Sequence, residues 1–417
     1  MKKQATWGWI ALWLVAACSK VAAPADGADA ASAGTGDAAA ETTPADGAGA
    51  DATAPGDADA TADAASAAED WRSDGPAPVG HASFVLTDAG RKRSLRVTLW
   101  YPAVEAARAA ANAGVGLADF YPVDSPEHAT MTALIAKAPA CVRARTRSAA
   151  DAEPAAGPWP LVAFSHCHTC TRFESTTIME RLASHGIAVI APDHTGNTLF
   201  DGLAGTSAGL GAPFLATRTL DMRFVLDQIL DAKNPAIPEK LRGKVDAARI
   251  GALGHSFGGV TTGKLLMDDP RPKAGMAVAV PMAQPILPGV DMEQIHVPVA
   301  FILAREDGSI TEVGNGYIRD NFAAAHPPAW LVEVADAGHF SFADIAGIID
   351  SFNAGCGPGK RQEDGAAFTF LDNNLARGIG ARLVGAFFGL TLRGQASAEE
   401  ALLAAEPAGI VQASVKK

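Results

Sequence analysis

The stretch Gly254-His255-Ser256-Phe257-Gly258-Gly259 directly follows the apolar run Arg249 to Leu253 and directly precedes Val260 to Met267, which reads as a helix. It is the pattern G-x-S-x-G in the setting that gives the pattern meaning, a strand before it and a helix after it. A serine on so sharp a turn needs glycines on either side, because the backbone is strained and larger side chains would collide with neighbouring elements. The turn points Ser256 Oγ outward and sets a helix N-terminus beneath it, where a developing negative charge is favoured. The competing reading is a glycine-rich turn without chemistry.

Outward from this turn, short apolar, β-branched runs alternate with helix-period segments. That is the pattern of a mainly parallel sheet covered on both faces. Strands are predicted at Leu95 to Tyr101, Leu161 to Phe164, Ile187 to Ala191, Arg249 to Leu253, Met276 to Val280, Val297 to Leu303 and Trp330 to Val334. Helices are predicted at Thr176 to His185, closed by Gly186, around Met222, Val225, Leu226 and Ile229, at Phe340 to Ile349 and at Phe368 to Leu392. Pro102 to Trp159 and Gly196 to Pro213 are too long for simple connections, which points to functional loops. No internal repeat is present, and the residues after Leu392 carry no readable motif.

A serine nucleophile needs a base, and the base needs a carboxylate to orient it. In this strand-turn-helix class the chain order is serine, acid, histidine. Asp307 follows the Val297 to Leu303 strand and His339 follows the Trp330 to Val334 strand, so both sit at strand C-terminal ends. Asp307 is read as the acid and His339 as the general base. Glu306 and then Asp336, in the histidine's own loop, are the alternative acids, and a helix-capping role is the alternative for His339. An oxyanion hole would take the N–H of Phe257 and one from the loop Ser165-His166-Cys167-His168-Thr169-Cys170, where the backbone of His168 is the candidate donor.

Trp100-Tyr101-Pro102, Phe164-Ser165-His166, Leu182-Ala183-Ser184-His185-Gly186, Pro192-Asp193-His194, Gly254 to Gly259 and Gly338-His339-Phe340-Ser341-Phe342 together resemble one family. It is the platelet-activating-factor acetylhydrolase and dienelactone-hydrolase-like branch of the α/β-hydrolases, and the resemblance covers most of residues 75–350. It implies an α/β-hydrolase fold and a serine carboxylester hydrolase without metal or organic cofactor, acting on short acyl esters or acylated lipids. It carries onto Ser256, Asp307 and His339, and onto Phe257 and His168 as hole donors. The chain departs from the family where glycine is replaced by Cys167. It also departs from dienelactone hydrolases proper, whose nucleophile is cysteine, which argues against dienelactone as substrate. Other readings are a polyester or envelope depolymerase on the same residues, and a non-catalytic envelope lipoprotein that keeps the fold.

His166, Cys167, His168 and Cys170 offer zinc-type donors, with Cys141 and Cys356 available to complete a site. Against that, four cysteines beyond Cys18 in an exported protein form an even set suited to disulfides. The expectation is a disulfide through Cys167 or Cys170 that fixes the oxyanion loop, with Cys141 and Cys356 as outside partners.

The 417 residues carry a formal net charge of −12, and 48% are hydrophobic but only 6% aromatic. Residues 21–70 alone hold 11 acidic and no basic side chains. No basic run exists that could neutralise a phosphate backbone, so nucleic-acid binding is not expected. Lys2 and Lys3 precede an apolar stretch, Ala5 to Ala17, of the length of a secretory signal rather than a span. It ends Val15-Ala16-Ala17-Cys18-Ser19, which resembles a bacterial lipobox in which Cys18 becomes the lipidated first residue, and Ser19 points to the outer membrane. An ordinary signal with Cys18 as bystander is the alternative. After Cys18 the sequence to Asp70, with Val21 its only large aliphatic, has nothing to bury, and residues 19–72 read as an extended tether with a reach of roughly 40 Å. The expected organisation is therefore signal 1–18, tether 19–72 and catalytic domain 73–417.

Overall fold

Doubly apolar strands can be stable only where both faces of a sheet are covered, and the chain meets that condition with one ten-stranded sheet. The computed structural model describes residues 70–417. The expected signal, Cys18 and the tether up to residue 69 lie outside the described residues.

In chain order the strands are β1 (Val79–Asp88), β2 (Arg93–Pro102), β3 (Ser148–Ala150), β4 (Trp159–Ser165), β5 (Ala188–Pro192), β6 (Val245–His255), β7 (Pro272–Val278), β8 (Val299–Ala304), β9 (Ala329–Val334), β10 (Pro358–Lys360), β11 (Ala367–Thr369) and β12 (Val411–Lys416). The helices are α1 (Arg108–Ala113), α2 (Pro126–Ile135), α3 (Thr176–Ser184), α4 (Leu199–Leu203), α5 (Ala212–Leu230), α6 (Phe257–Asp268), α7 (Thr311–Ala324), α8 (Asn373–Arg393) and α9 (Ala398–Leu403). The large sheet runs β12-β9-β8-β7-β6-β4-β5-β2-β1-β3, while β10 and β11 form a separate hairpin. From β9 to β5 every neighbouring pair is parallel. Antiparallel pairings flank that block, β2 on β5 and β12 on β9. This is the α/β-hydrolase fold.

The period-2 alternation of a strand explains how both faces are filled. In β4, Val162 and Phe164 pack on the side of α3 and α8, with Ile178, Met179 and Leu383, whereas Leu161 and Ala163 pack on the side of α5, with Met222 and Val225. In β8, Ala300 and Ile302 share the first core, while Phe301 and Leu303 meet Val260 of α6 and Ile318 of α7. α8 is apolar and long enough to cross a membrane by composition, but most of it is buried in the fold, so its hydropathy is that of a core helix.

Each predicted strand is present to within a few residues, but β1, β3, β10, β11 and β12 were not anticipated. Three corrections follow. Phe340 to Ile349 is a chain of turns rather than a helix, because its N–H groups go to remote carbonyls: Phe340 to Ala354, Asp344 to Glu174 and Gly347 to Phe352. Phe368 belongs to the β10/β11 hairpin, and α8 starts at Asn373. The packed part also starts before residue 73. Trp71 is 1% exposed, stacks on His185 with ring centroids 4.1 Å apart, and fills a notch where a Cβ on Gly385 would lie 2.6 Å from its ring.

Candidate active site

Three strand ends converge on the site. β6 delivers Ser256, β8 runs into Asp307 and β9 into His339. Arg305 N–H donates to Val334 O (3.0 Å) and Glu306 N–H to Ala337 O (2.9 Å), so the loops after β8 and β9 continue their ladder and keep acid and base at fixed separation. Ser256 has φ 54°, ψ −127°, a backbone conformation that a side chain adopts only under strain. The tightness of the turn requires the flanking glycines: a Cβ on Gly254 would overlap the Gly258 carbonyl, and one on Gly258 would overlap the Ser165 carbonyl.

The side chains form one hydrogen-bonded line. Ser256 Oγ donates to His339 Nε2 at 2.8 Å, and His339 Nδ1–H donates to Asp307 Oδ2 at 2.7 Å. Asp307 is wholly buried, and its other oxygen accepts the N–H groups of Ser309 (2.9 Å) and Ile310 (3.1 Å). Both alternative acids are engaged elsewhere: Glu306 accepts from Arg361 (2.9 Å) and from Gln362 N–H (2.9 Å), and Asp336 also pairs with Arg361.

Phe257 opens α6, so its N–H is one of the helix-terminal donors without an intrahelical acceptor. In the facing loop, Cys167 N–H is taken by Glu174 (2.8 Å), whereas among the described residues no acceptor takes that of His168. The His168 and Phe257 rings stand edge to face, centroids 6.3 Å apart. His168 Nδ1 accepts from Asn197 at 2.7 Å, and burial with the nearby Arg218 pushes its pKa down to about 4, so the ring is neutral with its proton on Nε2.

The cysteine expectation needs correcting. The pairs are Cys141–Cys356 and Cys167–Cys170, so no outside partner reaches the oxyanion loop. The loop folds back on itself, with Cys170 N–H donating to Cys167 O at 3.4 Å and Thr169 at φ 55°, which brings the two Cα atoms to 5.2 Å. Cys167, Glu174 and His255 offer donor atoms within 4.8 Å of one another, a grouping of metal-ligand types. Its sulfur is bonded to Cys170 and its imidazole faces its carboxylate at 3.3 Å, so these residues are spent on each other. His166 is likewise committed, donating from Nδ1 to Cys167 O (2.7 Å) and accepting His194 N–H at Nε2 (3.0 Å).

Four residues at the site were not anticipated. Glu174 Oε1 accepts from both Cys167 N–H and His255 Nδ1–H, and His255 Nε2–H donates to His339 O at 2.8 Å. Burial alone would lower the His255 pKa, but the charge and hydrogen bond of Glu174 carry it above 6.5. Arg218 and Asn197, from α5 and the loop before α4, stand behind His168. His255 lies inside the motif itself and was within reach of sequence reading, whereas Glu174, Asn197 and Arg218 are single polar residues without a pattern.

Two family models match. That of the dienelactone hydrolase family spans residues 148–354, and that of platelet-activating factor acetylhydrolase, isoform II, spans residues 65–200. A cutinase, Est2 of Thermobifida alba, is 32% identical over 146 residues, which are 35% of this chain and 41% of the cutinase; the matched part is thus under half of that relative. A ferulic acid esterase from Streptomyces cinnamoneus superposes with a TM-score of 0.56 at 24% identity, over 79% of this chain and 94% of that one. The chain thus shares the α/β-hydrolase fold with that esterase, and residues 65–354, spanned in turn by the two models, are similar to the dienelactone-hydrolase and platelet-activating-factor-acetylhydrolase families.

Proposed function

We propose that the chain is a serine carboxylester hydrolase working through an acyl-enzyme on Ser256. The observation that carries this reading is the unbroken line from Ser256 Oγ through His339 to buried Asp307. Ser256 Oγ attacks the ester carbonyl carbon as its proton passes to His339 Nε2, and Asp307 steadies the imidazolium. The tetrahedral oxyanion takes the N–H groups of Phe257 and His168. Collapse breaks the bond to the alcohol oxygen, which leaves with the proton from His339. Water then attacks the acyl carbon, gives a proton to His339, and the acid departs as Ser256 regains that proton.

The substrate class we favour is short acyl esters or acylated lipids. Leu203 at the end of α4, Leu210 between α4 and α5, and Ile286 are exposed apolar side chains of the kind an acyl group packs against. The cutinase likeness supports a second reading, a polyester depolymerase. A fluorophosphonate probe should label wild type at Ser256 and not Ser256→Ala. Unlabelled protein would leave the non-catalytic lipoprotein reading standing. Competition between an acylated phospholipid and an aliphatic polyester film then separates the two substrates.

We further propose export, lipidation at Cys18 and tethering to the outer membrane through residues 19–69, supported by the lipobox-like Val15 to Cys18 and the composition after it. Multiple acyl chains make such anchoring stable where one does not. Cys18→Ala should shift the protein from the detergent-extracted membrane fraction to the soluble one or leave a precursor, and unchanged fractionation would refute the anchor.

A further inference from the structure

Arg218 is wholly buried, yet among the described residues it has no carboxylate in contact, and its Nε has no acceptor. Burying a guanidinium without a carboxylate in direct contact is unfavourable, and burial is the main reason its pKa falls to about 9, offset only in part by the charges of Glu174 and Asp221. Such a charge persists in a fold only where its contacts are used. One guanidinium nitrogen donates to Ser165 Oγ (2.9 Å) and to the carbonyl of His166, the two residues that lead into the oxyanion loop. The other donates to Asn197 Oδ1 (2.8 Å), whose amide in turn holds His168 Nδ1 (2.7 Å). The guanidinium carbon lies 4.6 Å from the centroid of the Phe257 ring, the residue after the nucleophile.

These contacts reach both sides of the hole. We propose that Arg218 is the positioning residue of the oxyanion hole, holding the His168 loop through Ser165, His166 and Asn197 and the Phe257 donor through its ring, with a buried positive charge behind the pair. The inference rests on the esterase reading above and deepens it. An oxyanion donor contributes only if it is preorganised, and no carboxylate contacts Arg218, since Glu174 and Asp221 act on it through space while paired with other groups, so part of its field remains available to the tetrahedral intermediate. The ground-state ester carries no such negative charge. The effect should therefore fall on kcat and leave KM nearly unchanged.

The test compares wild type, Arg218→Lys, Arg218→Gln and Asn197→Ala. It measures turnover of a p-nitrophenyl ester and inhibition by a trifluoromethyl ketone, whose adduct with Ser256 places an oxyanion in the hole. Arg218→Gln should lose roughly 10- to 100-fold in kcat and a similar factor in affinity for the ketone, with KM nearly unchanged; Arg218→Lys, which keeps the charge but not the fork, should lose less. A folded Arg218→Gln that stays within about threefold of wild type, or that loses through KM alone, overturns the proposal. If neither Arg218 variant folds, by circular dichroism and thermal melting, Asn197→Ala decides. It cuts only the arm to His168, so a loss of about tenfold in kcat and ketone affinity supports the role, and unchanged values overturn it. A wild type that neither turns over esters nor takes the fluorophosphonate fails the underlying esterase reading instead.

Discussion

His255 Nε2 lies 2.8 Å from the carbonyl oxygen of His339, so the residue before the nucleophile grips the backbone of the residue that would deprotonate it, across 84 positions of chain. The other nitrogen of His255 faces Glu174, which also holds Cys167 N–H, and one buried ion pair thus ties nucleophile, base and oxyanion loop together. His255→Ala should lower turnover by roughly tenfold or more while Ser256 stays reactive toward a fluorophosphonate, since position rather than chemistry is lost. Wild-type kcat in a folded His255→Ala would show the contact to be idle.

Ser256, His339 and Asp307 should behave as one unit. Ser256→Ala and His339→Ala are each expected to reduce ester turnover by several orders of magnitude, with the double variant little worse than either. Additive losses in steady-state kinetics would mean that they act separately.

For the carboxylates the expected order is sharp. Asp307→Asn removes the acceptor of His339 Nδ1–H and should cost far more turnover than Glu306→Gln, whose partners are Arg361 and Gln362. A reversed ranking would make Glu306 the orienting acid.

Acid should unfold the domain early. Burial holds the pKa of His81 and of His194 down to about 4, with Arg172 and Arg218 respectively acting in the same sense. Each ring is neutral in the fold but takes a proton near pH 6.5 once unfolded. Their contribution is full above pH 6.5 and drains away as pH falls toward 4. His166 and His168, also lowered chiefly by burial, act in the same sense, whereas Glu180, raised to about 7 by burial, and His255, carried up by Glu174 against burial, work in the opposite direction, two groups against four. Urea midpoints should therefore fall between pH 7 and pH 4.5, and a flat or rising profile would contradict the assignment.

The Cys141–Cys356 bridge closes a sequence separation of 215 residues. On chain-entropy grounds its loss removes up to about 5 kcal/mol of stability. Cys356→Ser should lower the thermal midpoint without changing kcat at low temperature, because among the described residues neither cysteine is hydrogen-bonded to Ser256, His339 or Asp307.

How much of this was legible follows from the kind of signal each residue carries. The elbow was readable because Gly254, Ser256 and Gly258 are dictated by one tight turn, and β4, β5 and β8 because burial on both faces leaves continuous apolar runs. β1 and β12 are edge-side strands with partly exposed faces, so Val79–Asp88 and Val411–Lys416 do not stand out from loops. The cysteine pairing depended on where Cys141 and Cys356 meet in space, which no spacing encodes. Arg218 was invisible for a related reason: one basic residue on an amphipathic helix reads as solvated, and only the packed fold shows it to be buried.

The pairing of β12 with β9 carries a consequence for synthesis. β9 contributes Trp330, Val332 and Val334 to the core, and its outer hydrogen-bonding edge is met by residues 411–416, with Val411 opposite Val334 and Lys416 opposite Ala329. A ribosome that has just made β9 must still add the β10/β11 hairpin, α8 and α9 before that edge is covered. Throughout that interval the nascent sheet offers an unpaired, apolar rim of the kind that recruits other chains. A stop codon placed before Val411 would make that rim permanent, so aggregation rather than lost chemistry is the first defect expected of such a truncation.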